Sequence, residues 1–182
     1  MLKTILFVVL GLVVLAVAFV LLLALRQPDT FRIQRSTVIG APADRIYPLI
    51  ADLRRMNSWN PFAKKDPQIQ IRYRGPAGGP GAAYDFSGNK EVGKGSIEVT
   101  EAIAPTRVAM KLDTIAPMEG HHAILFSLAP DGGNSTRVTW SMEGASPFLG
   151  KVMGVVFNMD KMVGGAFDAG LADLKTQAEK PL

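Results

Sequence analysis

The chain falls into three regimes of hydrophobic patterning. The first is an unbroken apolar run, Ile5 to Leu25, "ILFVVLGLVVLAVAFVLLLAL", flanked by Lys3 and Arg26. At about 1.5 Å rise per residue it spans roughly 31 Å, the hydrocarbon thickness of a bilayer. A cleaved signal peptide has a shorter apolar core of about 7–15 residues followed by a small-x-small site. Here the only such triplet, Ala16-Val17-Ala18, sits inside the run. The pattern predicts a retained single-pass transmembrane helix over residues 1–26. Lys3 on one side, and Arg26, Arg32 and Arg35 on the other, give too small a charge bias to orient it.

The second regime has period two. "FRIQRSTVI" (31–39) alternates and reads as a strand. A helical interlude follows. Pro42 suits a first helical turn, and Ile46, Leu49, Ile50 and Leu53 form an amphipathic stripe interrupted by Pro48. After "WNP" alternation resumes, predicting strands at 68–74, 82–87, 92–102, 106–114, 119–129 and 135–143. Turn signals such as "GPAGGPG" and "PDGGN" separate them closely enough for antiparallel hairpins. The third regime, residues 146–180, has helical period. Ser146 is its expected N-cap, with Pro147 at the first helical position and a kink expected at Gly164-Gly165.

The order is thus strand, two short helices, six strands, long helix. A meandering sheet needs its apolar face covered, and only the last helix is long enough to do it. The predicted class is α+β: a curled antiparallel sheet around a long C-terminal helix, occupying residues 27–182. Such an arrangement encloses space.

"RSTVIGAPADRIYPLIADLRRMNSWNPF" early in the chain and "DGGNSTRVTWSMEG" late in it resemble the START/Bet v 1-like (SRPBCC) superfamily. Within it they resemble the proteins grouped as polyketide cyclase/dehydrase and lipid transport. The resemblance covers about residues 31–178. It implies the helix-grip fold and an internal cavity, and not one activity, since the fold hosts carriers and enzymes alike. It also makes "RRMNSW" the second short helix, stopped by Pro61, with Trp59 pointing inward as a core plug, a ligand contact, or both.

Composition narrows the functions. The net charge of +4 includes Lys3 and Arg26; the remainder carries 18 basic and 16 acidic residues, or +2. That balance does not suit an electrostatic nucleic-acid binder. With no Cys and two His, a zinc site is not expected, and no cofactor is expected either. Adjacent residues on a strand face opposite ways, so His122 shares the apolar phase of Ile124 and Phe126 while His121 faces solvent. His122 is the candidate catalytic residue, with Tyr84 as a potential acid partner; a half-buried structural His is the plainer reading. Asp113 and Glu119 read as solvated hairpin charges. Ser127 and Ser141 are out of phase with the apolar face. The glycine-rich loop 75–81 reads as a hairpin turn, or a gate at the cavity rim.

The expected ligand contacts are Trp59, Tyr84, Phe86, Met110, His122, Trp140, Met142 and Met159. The leading expectation is a membrane-anchored carrier or sensor for a lipid or other hydrophobic small molecule. The basic residues Arg32, Arg35, Arg54, Arg55, Lys64 and Lys65 would then meet anionic headgroups, or serve as ordinary solvated charges. The alternatives are a cyclase/dehydratase-like enzyme using the same cavity, and an envelope interaction module docking through Trp59 and Phe62.

Overall fold

The structure is a computed structural model that describes residues 2–157 and 159–181, with only the backbone of Leu2 and Met159. Seven strands form one antiparallel sheet: β1 (Thr30–Ile39), β2 (Gln70–Arg74), β3 (Ala83–Ser87), β4 (Lys94–Ile103), β5 (Arg107–Ala116), β6 (Gly120–Pro130) and β7 (Thr136–Ala145). Their order is β1-β7-β6-β5-β4-β3-β2, so the meander runs back until its last strand pairs with its first. Alternation sets the inner face: Ile124, Phe126 and Leu128 of β6 and Val138 and Trp140 of β7 are buried, with polar or half-exposed neighbours between them.

Helix α6 (Met159–Ala178) covers that face through Phe167, Leu171 and Leu174, which are buried at helical spacing. The expected single C-terminal helix is instead two. A separate helix, α5 (Phe148–Val156), precedes α6, and Phe157 between them is extended at φ −118°, ψ 131°. Helix α6 runs unbroken through Gly164-Gly165, where the sequence predicts a kink, and Gly164 serves a packing purpose. The Arg35 guanidinium lies where a side chain at 164 would begin. From there it donates to the Asp160 carboxylate at 2.8 Å, the Asp160 carbonyl at 3.1 Å and Asp168 at 3.3 Å. The glycine lets the Arg35 side chain of β1 lie against α6. Pro147, rather than Ser146, is the N-cap of α5.

Three short helices, not two, lie between β1 and β2: α2 (Ala43–Ala51), α3 (Leu53–Asn57) and α4 (Pro61–Lys64). Pro61 does not simply end a helix. It opens α4, whose N-cap Asn60 accepts a hydrogen bond from the Phe62 amide. Asp52 caps α3 by accepting from the Arg54 and Arg55 amides. Trp59 lies between α3 and α4 and is fully buried. Its Nε1 donates to the Leu49 carbonyl at 2.8 Å, and its ring meets Phe126 and Trp140 edge-on. The surface docking patch expected at Trp59 therefore does not exist. The loop at 75–81 does not rim the cavity: Gly78 bridges to Asp52 and lies against the backbone of Ala51.

Helix α1 (Leu2–Leu25) is long and apolar enough to cross a membrane. It packs against α5, and the covered residues of its last turns are Val20, Leu23 and Ala24.

Truncating Trp59 removes a packed ring system and leaves a cavity. Trp59→Ala should lower unfolding stability by about 3–5 kcal/mol. Trp59→Phe keeps the ring but leaves the Leu49 carbonyl without its donor, costing about 1–3 kcal/mol. Chemical denaturation of the full chain in mild detergent checks both, and a loss below about 1 kcal/mol for Trp59→Ala would contradict the packing role.

Candidate ligand-binding site

Cross-strand pairing sorts the inward residues into rows. One end of the sheet holds Thr30, Ala145, Gly120 and Ala116, where β1 leaves α1 and β7 leads to α5. Near that end one row runs from His122 to Leu112, Ile97 and Tyr84, and the next joins Thr114, Gly95 and Phe86. Toward the opposite end the rows are Trp140–Phe126–Val108 and Val138–Leu128. These latter residues are buried against one another and form solid core.

The rows near the α1 end are hollow. They enclose a cavity of about 200 Å³, walled by the sheet, by Met56, Asn60 and Phe62 from the α3–α4 region, and by Val163 and Phe167 of α6. Gly95, Gly120 and Gly144 pair with inward residues, so three inward positions at this end carry no side chain. A Cβ on Gly144 would meet His122 Nδ1 at 2.5 Å, and one on Gly120 would meet His122 Nε2 at 2.7 Å. The imidazole therefore lies over glycine backbone, 5.5 Å from the Phe31 ring. Likewise a Cβ on Gly95 would meet Phe86 Cζ at 2.9 Å.

The walls are almost entirely apolar. Among the described residues, His122 Nδ1 and Trp140 Nε1 are buried side-chain atoms with no hydrogen-bond partner in the protein. Burial, reinforced by the neighbouring His121, pulls the His122 pKa below its ordinary 6.5. Burial pushes the Tyr84 phenol well above its usual range, with Tyr73 adding to the effect. Asn60 Nδ2 donates to the Tyr84 hydroxyl at 3.5 Å, and Asn57 Nδ2 to the Tyr73 hydroxyl at 3.1 Å. The wall is thus uncharged at neutral pH. Outside, His121 Nδ1 lies 2.6 Å from Asp113, whose carboxyl is held below its ordinary range by that contact and by Lys111.

Of the expected contacts, Tyr84, Phe86, His122, Trp140 and Met142 all line this cavity. Trp59 and Met110 do not. Trp59 sits behind Trp140, and Met110 is buried in the row between Val99 and Ile124. The side chain of Met159 lies outside the described residues. His122 and Tyr84 stand three strands apart, roughly 14 Å along the sheet, and form no acid–base pair. Ser141 donates weakly to the Leu125 carbonyl at 3.5 Å and stands on the other face. Four of the basic residues considered for headgroups pair with the chain's own acids: Arg32 with Glu143, Arg35 with Asp160, Arg55 with Asp52, and Lys64 with Asp173. Arg54 stacks over the Tyr73 ring at 4.1 Å.

This architecture, a curled antiparallel sheet gripping a C-terminal helix over a cavity, is the helix-grip fold of the Bet v 1-like superfamily. Residues 30–179 match the family described as polyketide cyclase / dehydrase and lipid transport, and the chain belongs to it. The fold is shared with norcoclaurine synthase from Thalictrum flavum, at 11% identity and TM-score 0.65, over 86% of this chain and 99% of that one. Ginseng major latex-like protein 151 from Panax ginseng aligns at 12% identity and TM-score 0.59, over 84% and 100%. A Chromobacterium violaceum protein aligns at 18% identity and TM-score 0.58, over 85% and 100%. No curated protein matches the sequence.

The depressed His122 pKa has a testable sign. The unfolded chain binds a proton at this site more readily than the folded one. Stability from this group is fully present above about pH 6.5 and is lost as pH falls from there through the lower folded value. Asp113 is also depressed, so its contribution is lost only below the ordinary carboxylate range. Between pH 7.5 and 5.5, wild type should lose more stability than His122→Leu in denaturant titrations. Equal losses would show that His122 is not held neutral by burial.

Proposed function

We propose that the chain is a membrane-anchored binding protein for a small hydrophobic molecule, held in the cavity beside His122. The observation that carries this reading is an apolar cavity of about 200 Å³, lined in part by His122 and Trp140. Apolar walls with a few fixed polar groups suit a ligand that is mostly hydrocarbon. The driving force is removal of that surface from water, about 25 cal/mol per Å² before ordering costs.

Size refines the class. A volume of about 200 Å³ falls below the roughly 300–1,000 Å³ of pockets for drug-sized ligands. A compact terpenoid, a small aromatic or one acyl segment fits better than a whole two-chain lipid. Helix α1, apolar enough to span a bilayer, would keep the domain where such molecules concentrate. The family's name includes lipid transport, which supports carriage.

A catalytic use of the cavity is less well supported. The family also includes cyclases and dehydrases, and the fold serves a synthase in Thalictrum flavum. Here, however, His122 Nδ1 has no hydrogen-bond partner among the described residues, and a phenol as hard to ionise as Tyr84 makes a weak general acid.

Purified full chain in nanodiscs should yield a co-purifying apolar compound on solvent extraction and mass spectrometry. Leu112→Trp fills the cavity from the sheet side and should lower affinity for that compound at least ~tenfold, about 1.4 kcal/mol, with an unchanged circular dichroism spectrum. An empty wild-type protein, or equal loading of both proteins, would defeat the proposal.

A further inference from the structure

We infer that α5 and the corner formed by the end of β5 and the β5–β6 turn make a second membrane contact, lying in the bilayer interface beside α1 and holding the hollow end of the sheet next to lipid. The inference rests on reading α1 as a membrane anchor.

Helix α5, "FLGKVMGVV", contains one charged residue and no buried one. Leu149, Met153 and Val156 are exposed at positions i, i+4 and i+7, a continuous apolar stripe, with Phe148 and Phe157 exposed at its two ends. Leu149 is 60% exposed and Val156 57%. The single charge, Lys151, turns away from that stripe. It pairs with Asp29 at 2.6 Å, and its side chain is only 12% exposed. Asp29 stands four residues past the end of α1, just before β1, and its carbonyl also accepts from the Ser146 amide that leads into α5. So α5 is fixed to the foot of α1, and its apolar surface continues that of the helix.

The sheet supplies the other half. The end of β5 and the β5–β6 turn, residues 115–119, stand at the same end of the sheet as Thr30 and Ala145. They expose Ile115 at 65% and Met118 at 42%. At the opposite end, the β6–β7 turn is "DGGNS", wholly polar or glycine. The β3–β4 loop at the same end as α5 carries the exposed Lys90 and Glu91, so the apolar surface there is confined to α5 and the Ile115–Met118 corner. The hollow rows of the sheet lie at this end. Isolated exposed apolar residues are ordinary, but a helical stripe of them packed beside a bilayer-length helix suits the acyl and headgroup boundary of the same membrane.

The chain has no cysteine, so single Cys substitutions label cleanly. Full-length chain in phosphatidylcholine/phosphatidylglycerol vesicles would carry an environment-sensitive fluorophore at Leu15→Cys, Leu149→Cys, Met153→Cys, Met118→Cys or Asn134→Cys. Nitroxide-bearing lipids should quench the label at 15, 149, 153 and 118, and aqueous iodide should not reach it there. Asn134, on the polar turn, should show the reverse. Iodide access at 149, 153 or 118 with lipid quenching at 15 would overturn this inference and leave the anchor standing. Shielding of 149 and 153 from both quenchers would also overturn it, pointing to a protein cover such as a second copy. Iodide access at 15 would remove the anchor and this inference together; ligand content, measured by extraction, is independent of either.

Discussion

Trp140 is the contact on which the architecture turns. Its ring lies flat on Phe167 of α6, 4.0 Å between centroids and 9° from parallel. Its edge meets Trp59 from the segment between α3 and α4, and Phe126 of the neighbouring strand lies 5.0 Å away. Each aromatic pair contributes about 0.5–1.5 kcal/mol beyond the area it buries. Gly170 permits the stack, since a Cβ there would meet Trp140 Cζ3 at 2.9 Å and Pro61 Cδ at 2.8 Å. Sheet, gripping helix and lid thus converge on one indole. On one side of it the interior is filled with the chain's own side chains. On the other it is not.

That division explains what alternation along the strands reveals. Period two told which residues face inward, and Tyr84, Phe86, His122 and Met142 do line the space. It could not tell how far along each strand the space extends. Met110 shares a phase with Leu112, yet only Leu112 reaches the cavity. The informative residues were glycines. Gly95, Gly120 and Gly144 lie inside strands, where a missing side chain signals a close approach. Each is spaced to fall on the inward face, but the coincidence of all three at one end needs the strand register. Asn57 and Asn60 were hidden for a different reason: their partners, Tyr73 and Tyr84, are brought to them by tertiary packing.

The terminal helix shows the limit of local propensity. A Gly-Gly pair marks a plausible weak point in an isolated helix. In the folded chain the break falls instead near Phe157, where the covering of the sheet begins and the association with α1 ends. Residues 148–156 answer to α1, and residues 159–178 answer to the sheet. Two different partners divide one helical pattern into two helices, and nothing in its periodicity announces the change of partner. Trp59 illustrates the converse, because its burial was legible from its neighbours while its exclusion from the cavity depended on the position of Trp140.

Arg35 and Gly164 behave as a single inherited unit. The guanidinium occupies the volume that any larger residue at 164 would claim, and it holds two acids of α6 from that position. A side chain at 164 displaces the arginine; loss of the arginine leaves a glycine that weakens the helix with nothing gained. Neither residue can drift alone without cost, whereas a paired replacement, a short residue at 35 with alanine at 164, meets no such barrier. The placement of α6 along β1 is therefore tied to two positions that are 129 apart in sequence.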